Sequence, residues 1–140
     1  MPENDLALLI DAAEAAGTIA EGFWQTNPQT WEKPGGAGPV TEADLAVDRM
    51  LHAELTASRP DYGWLSEESV DTTARLDREY TFIVDPIDGT RAFVAGGEHW
   101  SHSLAIARGG QVTAAVVFLP VTGMLYAATL GGGATVNGTP

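Results

Sequence analysis

Residues 81–90 read Thr-Phe-Ile-Val-Asp-Pro-Ile-Asp-Gly-Thr, and no other stretch constrains the fold and chemistry of this chain so tightly. Phe82, Ile83 and Val84 form an apolar run with the length and composition of a buried strand. The strand is expected to stop at Asp85-Pro86, because Pro86 has no N–H to offer a ladder. Two carboxylates, Asp85 and Asp88, then share one short turn, followed at once by Gly89 and Thr90. Carboxylates this close repel one another unless positive charge lies between them, and hard divalent cations favour such oxygen ligands. The pattern points to a magnesium site at a strand end, with Gly89 and Thr90 opening a helix beside it.

Asp-Pro and Asp-Gly are also ordinary turn dipeptides, so a purely structural turn competes for this segment when it is taken alone. Two better-known motifs fail on spacing. An EF-hand loop starting at Asp85 needs oxygen side chains at positions 87 and 89 and a glutamate at 96, where this chain has Ile87, Gly89 and Gly96. Phosphatases that form an aspartyl-phosphate place one residue between their strand-end aspartates. Here Pro86 and Ile87 both intervene and turn Asp88 away from a nucleophile's position.

Two further acidic elements lie upstream. Gly63-Trp64-Leu65-Ser66 reads as a short strand running into Glu67-Glu68-Ser69. A glutamate pair at a strand end is ordinarily just solvated. Two adjacent strands ending at one edge, however, bring Glu67 or Glu68 toward Asp85 and Asp88. In Val40-Thr41-Glu42-Ala43-Asp44, Thr41 can cap a helix with Asp44 at its third position. By itself Asp44 is no more than a favourable charge at a helix N-terminus.

Together these segments resemble the inositol monophosphatase family of magnesium-dependent, lithium-sensitive phosphatases. The resemblance rests on Val40–Asp44, on Leu65-Ser66-Glu67-Glu68-Ser69 and on Asp85-Pro86-Ile87-Asp88-Gly89-Thr90, in the family's order, with Lys33 upstream where the family carries a lysine. It implies that Glu67, Asp85 and the backbone carbonyl of Ile87 hold one magnesium, and that Asp85 and Asp88 hold a second. Two or three ions, inhibition by lithium and a homodimer in the complete enzyme follow from the same resemblance. Gly89 and Thr90 would offer N–H groups and a hydroxyl to the phosphate, with Asp88, Lys33 and Arg91 beside it. Asp44 and Thr90 would orient and deprotonate the attacking water, with Glu67 also catalytic, in a two-metal hydrolysis of a small phosphate ester.

The family also carries a Trp-Asp motif in a C-terminal half, and none of Trp24, Trp31, Trp64 and Trp100 is followed by Asp. Residues 1–140 are therefore expected to be the N-terminal metal- and phosphate-binding domain of a sugar-phosphatase-like fold, inactive by itself. The alternative is a catalytically silent module that binds metal or phosphate without turnover. After Thr90, Arg91 is more typical of relatives acting on bisphosphorylated nucleotides or histidinol phosphate than on inositol monophosphate; a first-turn surface residue is the equal alternative. His99 and His102 have the spacing of a metal pair but lack a third ligand, and read as loop lining.

Composition sets the remaining bounds. A net charge of −12 argues against nucleic-acid and anionic-membrane partners. With no cysteine there is neither a disulfide nor a thiolate metal site, and a cytoplasmic protein is expected. Periodicity predicts a helix over residues 4–24, a Gly/Pro-rich loop over 25–40 and a helix over 41–58. His52 on the second helix reads as a surface residue. Strands follow near 63–66, 80–85, 103–108, 111–118, 124–129 and 134–136, the last lacking a return strand after Asn137-Gly138. The expected fold is a layered α/β (α+β) arrangement, two N-terminal helices packed on a largely antiparallel sheet.

Overall fold

Alanine and leucine at helical spacing fold the N-terminal segment into α1 (Pro2–Phe23), which fully buries Leu9, Ala13, Ala16 and Ala20. The computed structural model describes residues 2–69, 71 and 73–140. At Gly17, α1 comes close to the end of a sheet strand. A Cβ there would lie 2.9 Å from a ring carbon of Phe118 and 3.2 Å from Pro120. The second helix, α2 (Glu42–Ser58), buries Ala43, Val47, Leu51 and Leu55, and it begins with the expected capping box. Thr41 Oγ1 accepts from the N–H groups of Ala43 and Asp44, while Asp44 Oδ2 accepts from the Thr41 N–H at 2.9 Å. A polar clasp ties the helices together. Buried Asp5 accepts from Arg59 Nε at 3.0 Å and from the Tyr62 hydroxyl at 2.9 Å. Burial, then the bond to Asp5, pushes the Tyr62 pKa up to about 12.

Six strands form the main sheet: β3 (Gly63–Ser66), β4 (Tyr80–Asp88), β5 (Ser101–Arg108), β6 (Gln111–Leu119), β7 (Met124–Thr129) and β8 (Gly133–Val136), in that spatial order. β3 and β4 run parallel, and every other neighbouring pair is antiparallel. Both helices lie on one face, where Phe82, Val84, Leu104, Ile106, Ala114 and Val116 meet them in a single core. Cross-strand register puts Ile83, Val117 and Tyr126 on the opposite face, 39%, 36% and 45% exposed.

Two expectations need correction. Residues 25–40 are not an uninterrupted loop, because β1 (Thr30–Glu32) pairs antiparallel with β2 (Pro39–Thr41) around a 3₁₀ turn at Pro34–Gly36. Strand β4 does not stop at Asp85. Asp85 pairs with Ser103 and Asp88 with Ser101, and the register shift between them lets Pro86 sit outside the ladder. As expected, a strand near 134–136 is followed by no return strand: β8 pairs along β7, and the chain turns back at Asn137 and Gly138, with φ of 50° and 82°. The Val136 N–H then reaches the Thr139 carbonyl at 2.8 Å, a single bridge in place of a full return strand.

Candidate active site

Parallel pairing sends the C-terminal ends of β3 and β4 to the same edge. The Glu67 N–H continues the ladder, donating to the Val84 carbonyl at 3.1 Å, so the glutamates emerge beside Asp85. Glu67, Glu68, Asp85, Ile87, Asp88 and Thr90 line one pocket of about 290 Å³. The β1–β2 hairpin brings Lys33 and Gly38 to its rim, and the short helix α3 (Thr90–Val94) brings Arg91. The segment read as a loop thus does reach the site, but as a hairpin.

Electrostatics in this pocket are one-sided. Asp85 is partly buried, and its pKa is pushed up to about 6, first by burial and then by the charges of Asp88, Glu67, Glu68 and Asp44. The pKa of Glu68 is also raised, mainly by burial. Lys33, whose Nζ lies 3.3 Å from Glu68 Oε2, works the other way. Glu67 and Asp88 stand exposed.

Asp44 occupies a different environment. It is fully buried, with Oδ2 also accepting from Thr41 Oγ1 at 2.6 Å and Oδ1 accepting from Thr90 Oγ1 at 3.0 Å. The Thr90 hydroxyl lies 3.2 Å from the Ile87 carbonyl as well. Residues 44 and 90 are therefore joined by a direct hydrogen bond. Between β4 and α3, Gly89 takes φ 90°, and a Cβ there would sit 3.0 Å from the His99 carbonyl oxygen. The Arg91 guanidinium lies over buried Gly38, with Nη2 3.4 Å from where a Cβ would be.

Two contributors escaped the sequence reading. His102 is not loop lining: it sits fully buried on β5, and its Nδ1–H donates to the Pro86 carbonyl at the β4 bulge. Burial lowers its pKa to about 4, although the Pro86 bond works the other way. His99 stays exposed, so the two histidines form no pair. Asp48, one helical turn beyond Asp44, accepts from the hydroxyls of Ser66 and of Ser69, the latter at 2.6 Å. That spacing on an otherwise apolar helix face was the available signal. His52 is exposed, as expected, and packs edge-on against Trp64 at 4.8 Å.

Among the described residues, no group of three or more histidine or acidic side chains is gathered closely enough to hold an ion. In kind, the donors still fit a hard divalent cation: oxygen atoms only, mutually repelling, with Asp85 holding its proton to unusually high pH. None of the described helices is long and apolar enough to cross a membrane.

Comparison with known proteins agrees with this architecture. The chain matches the inositol monophosphatase family over residues 1–140. It is 38% identical to an inositol-1-monophosphatase of Rhizobium meliloti (strain 1021) across 94% of this chain and 50% of that protein. It is 34% identical to a histidinol-phosphatase of Chlorobaculum parvum (strain DSM 263 / NCIMB 8327) across 97% and 52%. The crystal structure of extragenic suppressor protein suhB from Bartonella henselae superposes with a TM-score of 0.90 at 32% identity, covering 97% of this chain and 53% of that one. The chain thus spans about half the length of the relatives it matches. From the match along its whole length and from its fold, the chain belongs to the inositol monophosphatase family.

Proposed function

We propose that this chain supplies the metal- and phosphate-binding half of a magnesium-dependent phosphomonoesterase acting on a small phosphorylated metabolite. The observation that carries the proposal is the pocket in which Asp85, Asp88, Glu67 and Glu68 crowd together, with burial and like charge raising the Asp85 pKa to about 6. Glu67, Asp85, Asp88 and the Ile87 carbonyl would hold the cation. Bound magnesium supplies charge neutralisation for carboxylates and phosphate and acidifies a coordinated water.

The protein's own groups do the rest. With its hydroxyl proton on Asp44 Oδ1, Thr90 turns an oxygen lone pair toward the pocket. A water attacking phosphorus donates to that lone pair, and Thr90 relays a proton to Asp44. Thr41 holds the second oxygen of Asp44, which fixes the carboxylate's orientation. The phosphorus–water bond forms as the ester P–O bond breaks; the leaving alkoxide takes a proton from solvent water, and Asp44 returns the one it received to solvent. Lys33, Arg91 and the N–H groups of Gly89 and Thr90 meet the phosphate, offsetting its repulsion from a chain of net charge −12.

Candidate substrates are inositol monophosphate, a 3′(2′),5′-bisphosphate nucleotide and histidinol phosphate. Arg91 at the rim favours the second and third, since a fixed guanidinium suits a second anionic or polar group. The test is a phosphate-release screen of these three esters with magnesium, using the longest natural form of the protein. Turnover that tracks magnesium and disappears in Asp85→Asn supports the reading; no release from any ester refutes it. The absence of a tight carboxylate triad among the described residues favours a second reading, a module that binds metal or phosphate without turnover. Binding heat with magnesium, without phosphate release, is its signature.

A further inference from the structure

A second cavity, of about 460 Å³, lies apart from the carboxylate pocket. The two share the turn after β3: Glu67 and Glu68 line the acidic pocket, whereas Ser69 lines this one. Its walls carry Arg49 and His52 from α2, Trp64 from β3, and Arg75 and Arg78 from the 3₁₀ turn Thr73–Asp77 and the residue after it. Three of the chain's seven lysines and arginines thus meet in one cavity, in a chain with 19 acidic residues.

Nearby carboxylates account for only one of the three arginines. Asp71 holds Arg75 by two bonds of 2.9 and 3.1 Å. Asp48, on the cavity wall, is 7% exposed and committed to the hydroxyls of Ser66 and Ser69. Arg49 and Arg78 make no ion pair among the described residues. Like charges converge at a cost unless an anion enters between them. The wall is also seated firmly, since a Cβ at Gly63 would lie 2.9 Å from Arg75 Cβ and 3.0 Å from its Cα. The volume exceeds what inorganic phosphate needs and falls in the range of small-molecule pockets, about 300–1,000 Å³. Guanidinium groups recognise phosphate through paired N–H donors, and Trp64 offers an apolar wall for the body of the ligand.

We propose that this cavity is a second anion site, separate from the carboxylate pocket, that takes the phosphate group of a small organic phosphate. Working without metal separates the two sites, because a bare carboxylate pocket repels phosphate. The chain, in a chelating buffer, is titrated with ribose 5-phosphate and with inorganic phosphate while amide chemical shifts are followed. Expected are saturable shifts around residues 49, 52, 64, 75 and 78, with the sugar phosphate bound more tightly than inorganic phosphate. R49E and R78E each weaken binding about tenfold or more, the size of one lost charge-assisted contact. Both arginines are exposed, so thermal melting should be unchanged in these variants. Asp85→Asn, in the other pocket, leaves the affinity as it was. No saturable shift at millimolar ligand, shifts confined to the carboxylate pocket, or binding indifferent to R49E and R78E overturns the proposal. Equal affinity for the two ligands overturns the assignment to an organic phosphate.

Discussion

Two acidic corners a few residues across differ in what completes them. At the start of α2, Asp44 is fully buried, and Thr41 and Thr90 supply donors to both of its oxygens. At the bulge of β4, Asp85 is partly buried, and burial and four neighbouring carboxylates all push its pKa the same way. The first corner is finished by the chain itself; the second is left with a surplus of negative charge that a bound cation would offset. Burial of a carboxylate is thus a poor marker of a ligand site. If the Asp85 corner binds a cation as proposed, repulsion that the protein leaves uncompensated is the better one.

The contrast is sharpest in turnover. In the longest natural form of the protein, Thr90→Ala and Asp44→Asn are expected to lower kcat by about 10²–10⁴-fold, the usual reach of a positioned proton acceptor. Calorimetric magnesium affinity should stay close to that of the unaltered protein. If both variants keep near-normal kcat, the water is activated elsewhere.

Stability should split the corners in opposite directions. Magnesium at about a hundred times its Kd should stabilise the chain by about 2.7 kcal/mol, and Asp85→Asn should remove that gain. Without metal, Asp85→Asn relieves repulsion and should raise Tm. Thr41→Ala, which strips the α2 cap, should lower stability by about 1–2 kcal/mol whether or not metal is present. Thermal melts with and without magnesium decide this. A metal-free Asp85→Asn that melts lower than the original would mean the corner is held by the chain after all.

Smaller but more diagnostic effects lie in the pH dependence of the metal-free chain. Asp85 has a folded pKa of about 6 against an ordinary 3.8, so the folded state keeps a proton that the unfolded state has lost. Its contribution to stability therefore falls as pH rises from about 4 to about 6. His102 runs oppositely. Its folded pKa of about 4 lies below the ordinary 6.5, so the unfolded state binds the extra proton. That contribution is complete above 6.5 and is lost as pH falls toward 4. The two slopes offset each other in the unaltered chain. Asp85→Asn should leave Tm rising with pH across this window, and His102→Phe should leave it falling. Identical pH profiles for all three proteins would contradict both assignments.

What could be read ahead of the structure was governed by local rules. The cap at Thr41 follows from residues adjacent in sequence, and two apolar runs that each end in carboxylates put Glu67 and Asp85 at one edge, although not the parallel pairing that joins them. The β1–β2 hairpin was hidden because three-residue strands in a Gly/Pro tract carry no period. The continuation of β4 past Pro86 was hidden for a different reason: it depends on β5, whose Ser101 resumes the ladder and whose His102 takes up the Pro86 carbonyl. Likewise, the bond from Thr90 to Asp44 joins residues 46 positions apart. Motif resemblance pointed to that pair; helix periodicity and turn chemistry did not.

The strand order has a consequence for how the molecule assembles. From β5 to β8, each strand pairs with its successor in sequence across a short turn, so every step closes a small loop. The acidic pocket, by contrast, draws on residues from 33 to 91, and the clasp between Asp5 and Arg59 joins residues 54 positions apart. Loop-closure entropy grows with that separation. Loop closure therefore favours pairing of the four-strand meander ahead of the β3 edge and the β1–β2 hairpin. Late arrival suits the chemistry, since mutually repelling carboxylates meet only after the apolar core has formed to hold them together. Amide hydrogen exchange is then expected to show the β3 edge and the acidic pocket opening with the meander still intact.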